Sequence, residues 1–384
     1  MKANITFIIL FLNTCLIGYS QPFAIGHTAI TFTDPSRGNR QIAADLYYPA
    51  TTAGNNTPIS SGIFPLVIYG HGFVMVTGAY QNFWDLLVRD GYIVALPSTE
   101  GSTSPNHSEF GADLRFLVSQ IQTNGAGSSI PSSSVGLTSA IMGHSMGGGC
   151  SFLAAQNNTA ITTMVSFAAA VTNPSSVTAA SSVTVPTLVF SGSEDCVAPP
   201  AQHQDLMYNS TATVYKTQVN ISNGNHCYFA NYNFNCTFGE STCQPVPNIT
   251  RAEQQSVVND FLKYWLAYYL KGDCSAAQSF QDSLTTSSRI TYRQSQPIGC
   301  TTGLTSLNSQ DGIKIYPNPS AGNFIVRSEL KSPELRITDL TGKIVIRHKL
   351  NSQISIIDFP FSPGIYFARL SDSERSYTQK LVIE

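Results

Sequence analysis

One serine, set between two glycines at a strand-to-helix junction, constrains this chain more than any other feature. Gly143-His144-Ser145-Met146-Gly147 follows the short apolar run Ser139-Ala140-Ile141-Met142 and precedes a stretch of small residues, 148–155, that can open a helix. Such a junction puts Ser145 on a tight turn with its hydroxyl held out from the end of a strand. The turn strains the backbone at the serine, and a side chain at Gly143 or Gly147 would collide with the neighbouring strand or helix. Ser145 is therefore a candidate nucleophile. Glycine is common enough that this five-residue pattern also arises by chance, so the surrounding chain has to decide.

A serine hydroxyl is a weak nucleophile unless a base takes its proton, and the base needs an acid to hold its tautomer. In an α/β-hydrolase those groups follow in the order serine, acid, histidine, each on a loop after a later strand. The β-branched run Val185-Pro186-Thr187-Leu188-Val189-Phe190 ends in Ser191-Gly192-Ser193-Glu194-Asp195, which offers two neighbouring carboxylates, Glu194 and Asp195. A further strand over residues 214–219 leads through 220–225 to His226. Catalytic groups in open α/β sheets gather at the carboxyl ends of strands, so Ser145, the acid and His226 can converge. Upstream, Phe64-Pro65-Leu66-Val67-Ile68-Tyr69 reads as a buried strand followed at once by Gly70-His71-Gly72-Phe73. The main-chain N–H groups of Phe73 and Met146 are then the expected oxyanion donors.

The other six histidines fit the base role less well. His27 and His348 fall outside the strand ends, His107 and His203 on helix or loop surfaces, and His71 and His144 beside the two turns, where packing or hydrogen bonding is expected of them. The histidines show no metal-ligand spacing and no CxxC pair exists, so no metal and no cofactor are expected.

The rest of the chain agrees with a doubly wound, mostly parallel sheet. Residues 91–96 read as another strand, and residues 82–89, 110–122 and 257–270 as helices, with Trp265 in the core. The chain of 384 residues has room for a hydrolase domain over 21–302 and a small appendage. A stretch rich in Thr, Ser and Gly near residue 300 supplies a linker at 303–310. Beyond it, residues 311–384 show short alternating strands with regularly spaced turn signals, which predicts a small all-β sandwich with no catalytic constellation. Only 11% of residues are charged and the net charge is −2, which gives a nucleic-acid partner little electrostatic support. Lys2 and the apolar stretch 5–17 read as a signal peptide over residues 1–20, cleaved before Gln21. That stretch is too short for a membrane span, and no later segment is apolar enough to be one.

From residue 21 to 300 the chain resembles the bacterial cutinases and polyester hydrolases, a group that includes enzymes acting on polyethylene terephthalate. The motifs that carry the resemblance are Gly70-His71-Gly72-Phe73, Gly143-His144-Ser145-Met146-Gly147-Gly148-Gly149, Val183-Thr184-Val185-Pro186-Thr187-Leu188, Asp195-Cys196-Val197-Ala198-Pro199, and His226 with Phe229-Ala230-Asn231 after it. Residue by residue, the resemblance implies a triad of Ser145, Asp195 and His226, with Phe73 and Met146 as oxyanion donors. Two departures concern the substrate cleft. Such enzymes pair a Tyr in the oxyanion loop with a Trp after the strand that follows the elbow; here Phe73 and Ala170 stand in those places. That leaves the ester chemistry intact and weakens the binding of aromatic polymers.

The C-terminus carries a second resemblance. Ile315-Tyr316-Pro317-Asn318-Pro319-Ser320, Gly322-Asn323-Phe324, Ile337-Thr338-Asp339-Leu340-Thr341-Gly342-Lys343, Gly364-Ile365-Tyr366 and Lys380-Leu381-Val382-Ile383-Glu384 look like the C-terminal sorting domain of the type IX secretion system of Bacteroidetes. It implies export to the extracellular space or the cell surface, with the type IX machinery as a partner.

Cysteine usage fits export. Of the eight cysteines, Cys15 is lost with the signal peptide, leaving seven. A Cys196–Cys227 bond would tie the acid loop to the histidine loop, and the resemblance adds that some relatives carry a bridge near there. Relatives commonly have another bridge where Cys274 and Cys300 stand, and Cys236 with Cys243 could close a small loop. Cys150 is left as a buried thiol. The expectation is a secreted, monomeric serine ester hydrolase of the cutinase or polyesterase type, acting on ester or polyester substrates. A lipase or small-molecule carboxylesterase is the alternative within enzymes, and a non-catalytic surface binding protein outside them.

Overall fold

The computed structural model describes residues 22–300 except 245, and residues 313–384 except 321, 329, 331, 353, 359–361 and 373–375. The expected signal peptide and the expected linker at 303–310 lie outside the described residues. The chain divides into two units, with the division between Cys300 and Thr301.

The first unit runs β1 (Ala24–Asp34), β2 (Arg40–Ala50), β3 (Gly54–Asn55), β4 (Phe64–Gly70), α1 (Gln81–Arg89), β5 (Ile93–Pro97), α2 (His107–Asn124), β6 (Val135–His144), α3 (Met146–Ala155), β7 (Thr163–Phe167), α4 (Ser176–Ala180), β8 (Thr187–Gly192), α5 (Gln204–Ser210), β9 (Lys216–Ile221), α6 (Phe234–Gly239), α7 (Arg251–Lys271), α8 (Cys274–Thr286) and β10 (Ile290–Gln294). Among the described residues these strands form one sheet in the order β10-β9-β8-β7-β6-β4-β5-β2-β1-β3. Its centre, β5 through β9 with β4, is parallel, and antiparallel pairs β2/β5, β1/β2 and β9/β10 flank it.

Parallel strands need crossovers, and the helices that provide them cover both faces of the sheet. Strand β4 shows the consequence in sequence: every residue of Phe64-Pro65-Leu66-Val67-Ile68-Tyr69-Gly70 is buried. Leu66 and Ile68 face one core, shared with Phe110, Leu114 and Phe152 of α2 and α3. Val67 and Tyr69 face the other, shared with Phe83 of α1, Phe261 and Trp265 of α7 and Phe280 of α8. A strand buried on both sides has no polar alternation, which is why it reads as a continuous apolar run. The Trp265 indole N–H donates to the Thr163 hydroxyl at 2.8 Å, so its one polar atom is satisfied inside the core.

Helix ends differ from the apolar pattern where caps are polar. Helix α2 starts at His107 because the Asn106 side chain accepts the Glu109 N–H, three residues ahead of the first apolar position. Helix α7 starts at Arg251 on a Thr250/Glu253 capping box, six residues before Val257, and ends at Gly272 in the left-handed region.

The second unit contains β11 (Ile313–Tyr316), β12 (Asn323–Ser328), β13 (Glu334–Thr338), β14 (Ile344–Lys349), β15 (Ile354–Asp358), β16 (Gly364–Ser371) and β17 (Ser376–Ile383). They pair into two antiparallel sheets, β11-β12-β15 and β14-β13-β16-β17. Buried and exposed positions alternate along β12 and β16, and the inward residues, among them Phe324, Val326, Ile337, Leu370 and Leu381, share one core. This is the small all-β sandwich expected from the turn spacing.

Candidate active site

The turn between β6 and α3 is an elbow. Ser145 adopts φ 55° and ψ −118°, in the region an L-residue enters only when the surroundings force it. Three main-chain bonds do so: its N–H donates to Phe167 O, and its carbonyl accepts from Gly149 and Ala170. The crossing is closed by two glycines. A Cβ on Gly143 would lie 2.3 Å from Gly147 O, and one on Gly147 would lie 2.2 Å from Gly70 O, so α3 approaches β4 and β6 more closely than any side chain permits.

Strand ends bring the other two groups to this serine. Asp195 follows β8, and its Oδ1 accepts the N–H groups of Val197 (3.0 Å) and Ala198 (2.8 Å), which orient the carboxyl group. Its Oδ2 lies 2.8 Å from Nδ1 of His226, and Nε2 of His226 lies 2.8 Å from Oγ of Ser145. All three residues are buried or nearly so, at 4%, 2% and 9% exposure for Asp195, His226 and Ser145. The neighbouring Glu194 makes its own backbone bond, N–H to Gly224 O, and is not the acid placed at His226. Burial disfavours the charged ring of His226, but the charge and hydrogen bond of Asp195, with Glu240 further off, outweigh it and raise its pKa above the ordinary 6.5.

The remaining histidines do what their positions allow. His144 is fully buried, bridging Tyr80 Oη (3.1 Å) and the main-chain carbonyl of His226 (3.0 Å); burial, then the neighbouring His226, holds its pKa well below the usual range. Tyr80 Oη also accepts the N–H of Gly72 at 2.7 Å, so one buried relay joins the turn after β4 to the histidine loop. His71 is held by Gly72 O and Thr99 O. His27 bonds Asn55 and Asp45 far from the elbow, and His348 is exposed on the second unit.

Two surface histidines have a part that sequence reading does not reveal. Nδ1 of His203 accepts the N–H of Val171 at 2.9 Å, and Nδ1 of His107 accepts that of Asn173 at 3.1 Å. Both therefore hold, as acceptors at Nδ1, the loop that follows Ala170 beside the elbow. Burial lowers the pKa of His203, which favours the neutral form. Glu240 was equally hidden. It follows α6, and its carboxylate accepts the N–H of Cys227 (2.8 Å) and the side-chain amide of Asn225 (3.1 Å), on either side of His226. Burial raises its pKa, with the Cys227 N–H opposing.

Met146 occupies the first position of α3, where the N–H has no intrahelical acceptor and the helix dipole is positive. Phe73 lies in the turn after β4 and is 46% exposed. Ala170 is partly buried and offers no ring at the cleft.

The disulfides require a correction. Cys274–Cys300 is present, but the Cys196–Cys227 and Cys236–Cys243 pairing is not: the bonds are Cys196–Cys243 and Cys227–Cys236, each with 5.7 Å between Cα atoms. His226 stands in helical conformation at the head of the turn Cys227–Phe229, and the sulfur that follows it meets α6 and not the acid loop. Helix α6 folds back over the turn Cys227–Phe229 and brings Cys236 to Cys227, leaving Cys243 for Cys196. Cys150 is free and buried, its thiol pushed far up by desolvation.

Among the described residues no group of three or more His, Cys, Asp or Glu side chains could hold a metal ion, and no helix is long and apolar enough to cross a membrane. Residues 314–384 match the secretion system C-terminal sorting domain, which directs export by the type IX route to the extracellular or cell-surface space. No curated protein matches the chain. Residues 19–243, more than half of the chain and all of the elbow, acid and histidine loops, match the PET hydrolase-like family, hydrolases of the cutinase and esterase kind. A strained serine between two sterically required glycines, aligned with a buried His and Asp at successive strand ends of a parallel sheet, is the arrangement such hydrolases need, and with that match the chain belongs to the PET hydrolase-like family.

Proposed function

We propose that this protein cleaves the ester bonds of polyesters through a covalent acyl-enzyme, with Ser145 as nucleophile, His226 as general base and Asp195 as its orienting acid. The observation that carries the reading is the unbroken pair of 2.8 Å hydrogen bonds from Ser145 through His226 to Asp195. Ser145 Oγ attacks the ester carbonyl carbon while Nε2 of His226 takes its proton. The N–H groups of Met146 and Phe73 donate hydrogen bonds to the developing oxyanion. The imidazolium then protonates the leaving alkoxide, and water, deprotonated by the same ring, releases the acid and restores Ser145. Every group in this cycle belongs to the first unit, so one copy of the chain suffices.

The surroundings favour a neutral, apolar substrate. Phe73, Val76 and Val197 are exposed beside the elbow. Asn235 of α6 donates to Val74 O at 2.8 Å, which brings the uncharged segment 231–239, with exposed Tyr232, Phe234 and Phe238, to the same rim. Aliphatic polyester films are expected to be hydrolysed readily and polyethylene terephthalate slowly. The reason is Ala170: an aromatic pair is worth about 0.5–1.5 kcal/mol beyond its buried area, and Ala170 offers Phe73 no ring to pair with. Product release from amorphous films, counted by chromatography, checks this. Release from the aromatic film equal to that from polycaprolactone would mean that another residue supplies the clamp.

The pH profile tests the base. His226 acts only when neutral, and its pKa lies above 6.5, so kcat/KM on a soluble ester should rise with pH and reach half its plateau above pH 6.5. A profile flat from about pH 5 to 8 in a stable enzyme argues against a histidine base. Truncation tests the division of labour. A chain ending at Leu304 is expected to keep its activity on soluble esters and to lose type IX export, because the first unit closes at Cys300 with its own cores and disulfides. Loss of soluble-ester turnover would place part of the site in the second unit.

A further inference from the structure

The acid partner of a triad histidine is expected within hydrogen-bond reach of its ring; Glu240 is a second carboxylate that reaches the histidine from its backbone side. Its Oε1 accepts the N–H of Cys227 at 2.8 Å and its Oε2 the Nδ2 of Asn225 at 3.1 Å, so both residues adjoining His226 hang on one side chain. Asn225 is further fixed by Gln254 of α7, which accepts the Asn225 N–H and donates to its carbonyl, both at 2.9 Å. Two disulfides hold the segment that carries Glu240: Cys227–Cys236 closes onto the histidine turn, and Cys196–Cys243 ties the far end to the residue after Asp195. Among the described residues no lysine or arginine lies within ion-pair distance of this half-buried carboxylate, and Arg251 acts on it only through space.

Resting on the triad reading, we propose that Glu240 is a positioning residue: it clamps the loop that carries His226 and supplies a second negative charge behind the imidazole, stabilising the imidazolium that forms as Ser145 attacks. The other charged and titratable groups around the ring are accounted for. Asp195 bonds Nδ1, and Nε2 faces Ser145. His144 stacks obliquely at 4.9 Å between ring centroids and is kept neutral by burial. His203 senses the same pair and is likewise held toward its neutral form. Arg251 hydrogen-bonds the carbonyls of Cys227 and Ala230 and packs over the Tyr228 ring, and its charge also acts on Glu240. Glu240 is thus the group besides Asp195 whose charge favours the protonated ring.

The test is the pH dependence of kcat/KM on a soluble p-nitrophenyl ester for the full chain and two variants. Glu240→Gln keeps the size and the acceptor for Cys227 but removes the charge. Losing an anion disfavours the imidazolium, so the acid limb should move to lower pH by roughly half a unit or more, with kcat at the plateau down several-fold and KM unchanged. Glu240→Asp keeps the charge and should keep a midpoint close to the wild type. Midpoints that coincide in wild type and Glu240→Gln, or that move equally in Glu240→Gln and Glu240→Asp, overturn the proposal and leave Glu240 a structural clamp. Should Glu240→Gln fail to fold, the isosteric pair Glu240→Asp and Glu240→Asn makes the same comparison: the Asn midpoint must lie below the Asp midpoint, and coincidence overturns the proposal. Failure of the triad reading shows differently, in the wild type itself, as a profile with no acid limb.

Discussion

Ser145→Ala is expected to reduce hydrolysis of a soluble ester by roughly four orders of magnitude or more while the protein stays folded. The hydroxyl is the one covalent nucleophile at the junction of His226 and the candidate oxyanion donors, and its removal leaves only binding and polarisation of the carbonyl. His226→Ala should cost about as much. Because triad members act as a unit, the double variant should be no worse than either single one, an outcome that independent contributions cannot produce. The measurement is turnover of a p-nitrophenyl ester by purified variants whose circular dichroism and Tm match the wild type. Near-normal turnover in either single variant, with the fold intact, would falsify the assignment of the nucleophile or the base.

Gly147→Ala should be among the most damaging single-methyl substitutions in the catalytic unit. The added carbon would lie 2.2 Å from Gly70 O, 2.3 Å from Gly70 C and 2.6 Å from His71 O, all backbone atoms at the end of β4. Neither side can yield cheaply, since Gly70 is paired with Gly143 in the sheet and Gly147 is fixed by the elbow. Forcing α3 away costs about 3 kcal/mol or more, which for a domain of this size lowers Tm by roughly 6 °C or more. It also moves the Met146 N–H, so activity should fall beyond the loss of folded protein. Gly239→Ala is the control, because a Cβ there meets nothing within 4 Å. If the two variants melt together, the close approach of α3 to β4 is not what holds the elbow.

The elements that sequence reading recovers are those written in local patterns. Strand β4 is an unbroken apolar run because both its faces are buried, and α7 is apolar at helical spacing because one side lies on the core. The elbow is legible because its sterics demand glycine at fixed distances from Ser145. Asp195 and His226 are legible because chain order and strand ends limit where an acid and a base can stand. Boundaries are less so: the first turns of α2 and α7 are polar and capped by Asn106 and Thr250, which periodicity does not register.

What the sequence by itself determined, then, is the α/β order of the first unit and the alternating strands of the second, and it named the three candidate residues at the strand ends. Only the tertiary structure decided which cysteines meet, because pairing depends on the direction of each Cβ and not on which residue precedes it; Cys227 sits next to His226 in sequence yet bonds Cys236. The same holds for Tyr80, which joins the Gly72 turn to His144 across 64 residues, for His203, which supports the loop after Ala170 from 32 residues away, and for Glu240, which reaches back to Cys227. Each is a single polar side chain with no periodicity of its own. Its role is set by the groups that the fold leaves within hydrogen-bond distance of it, and those are chosen by packing between distant segments.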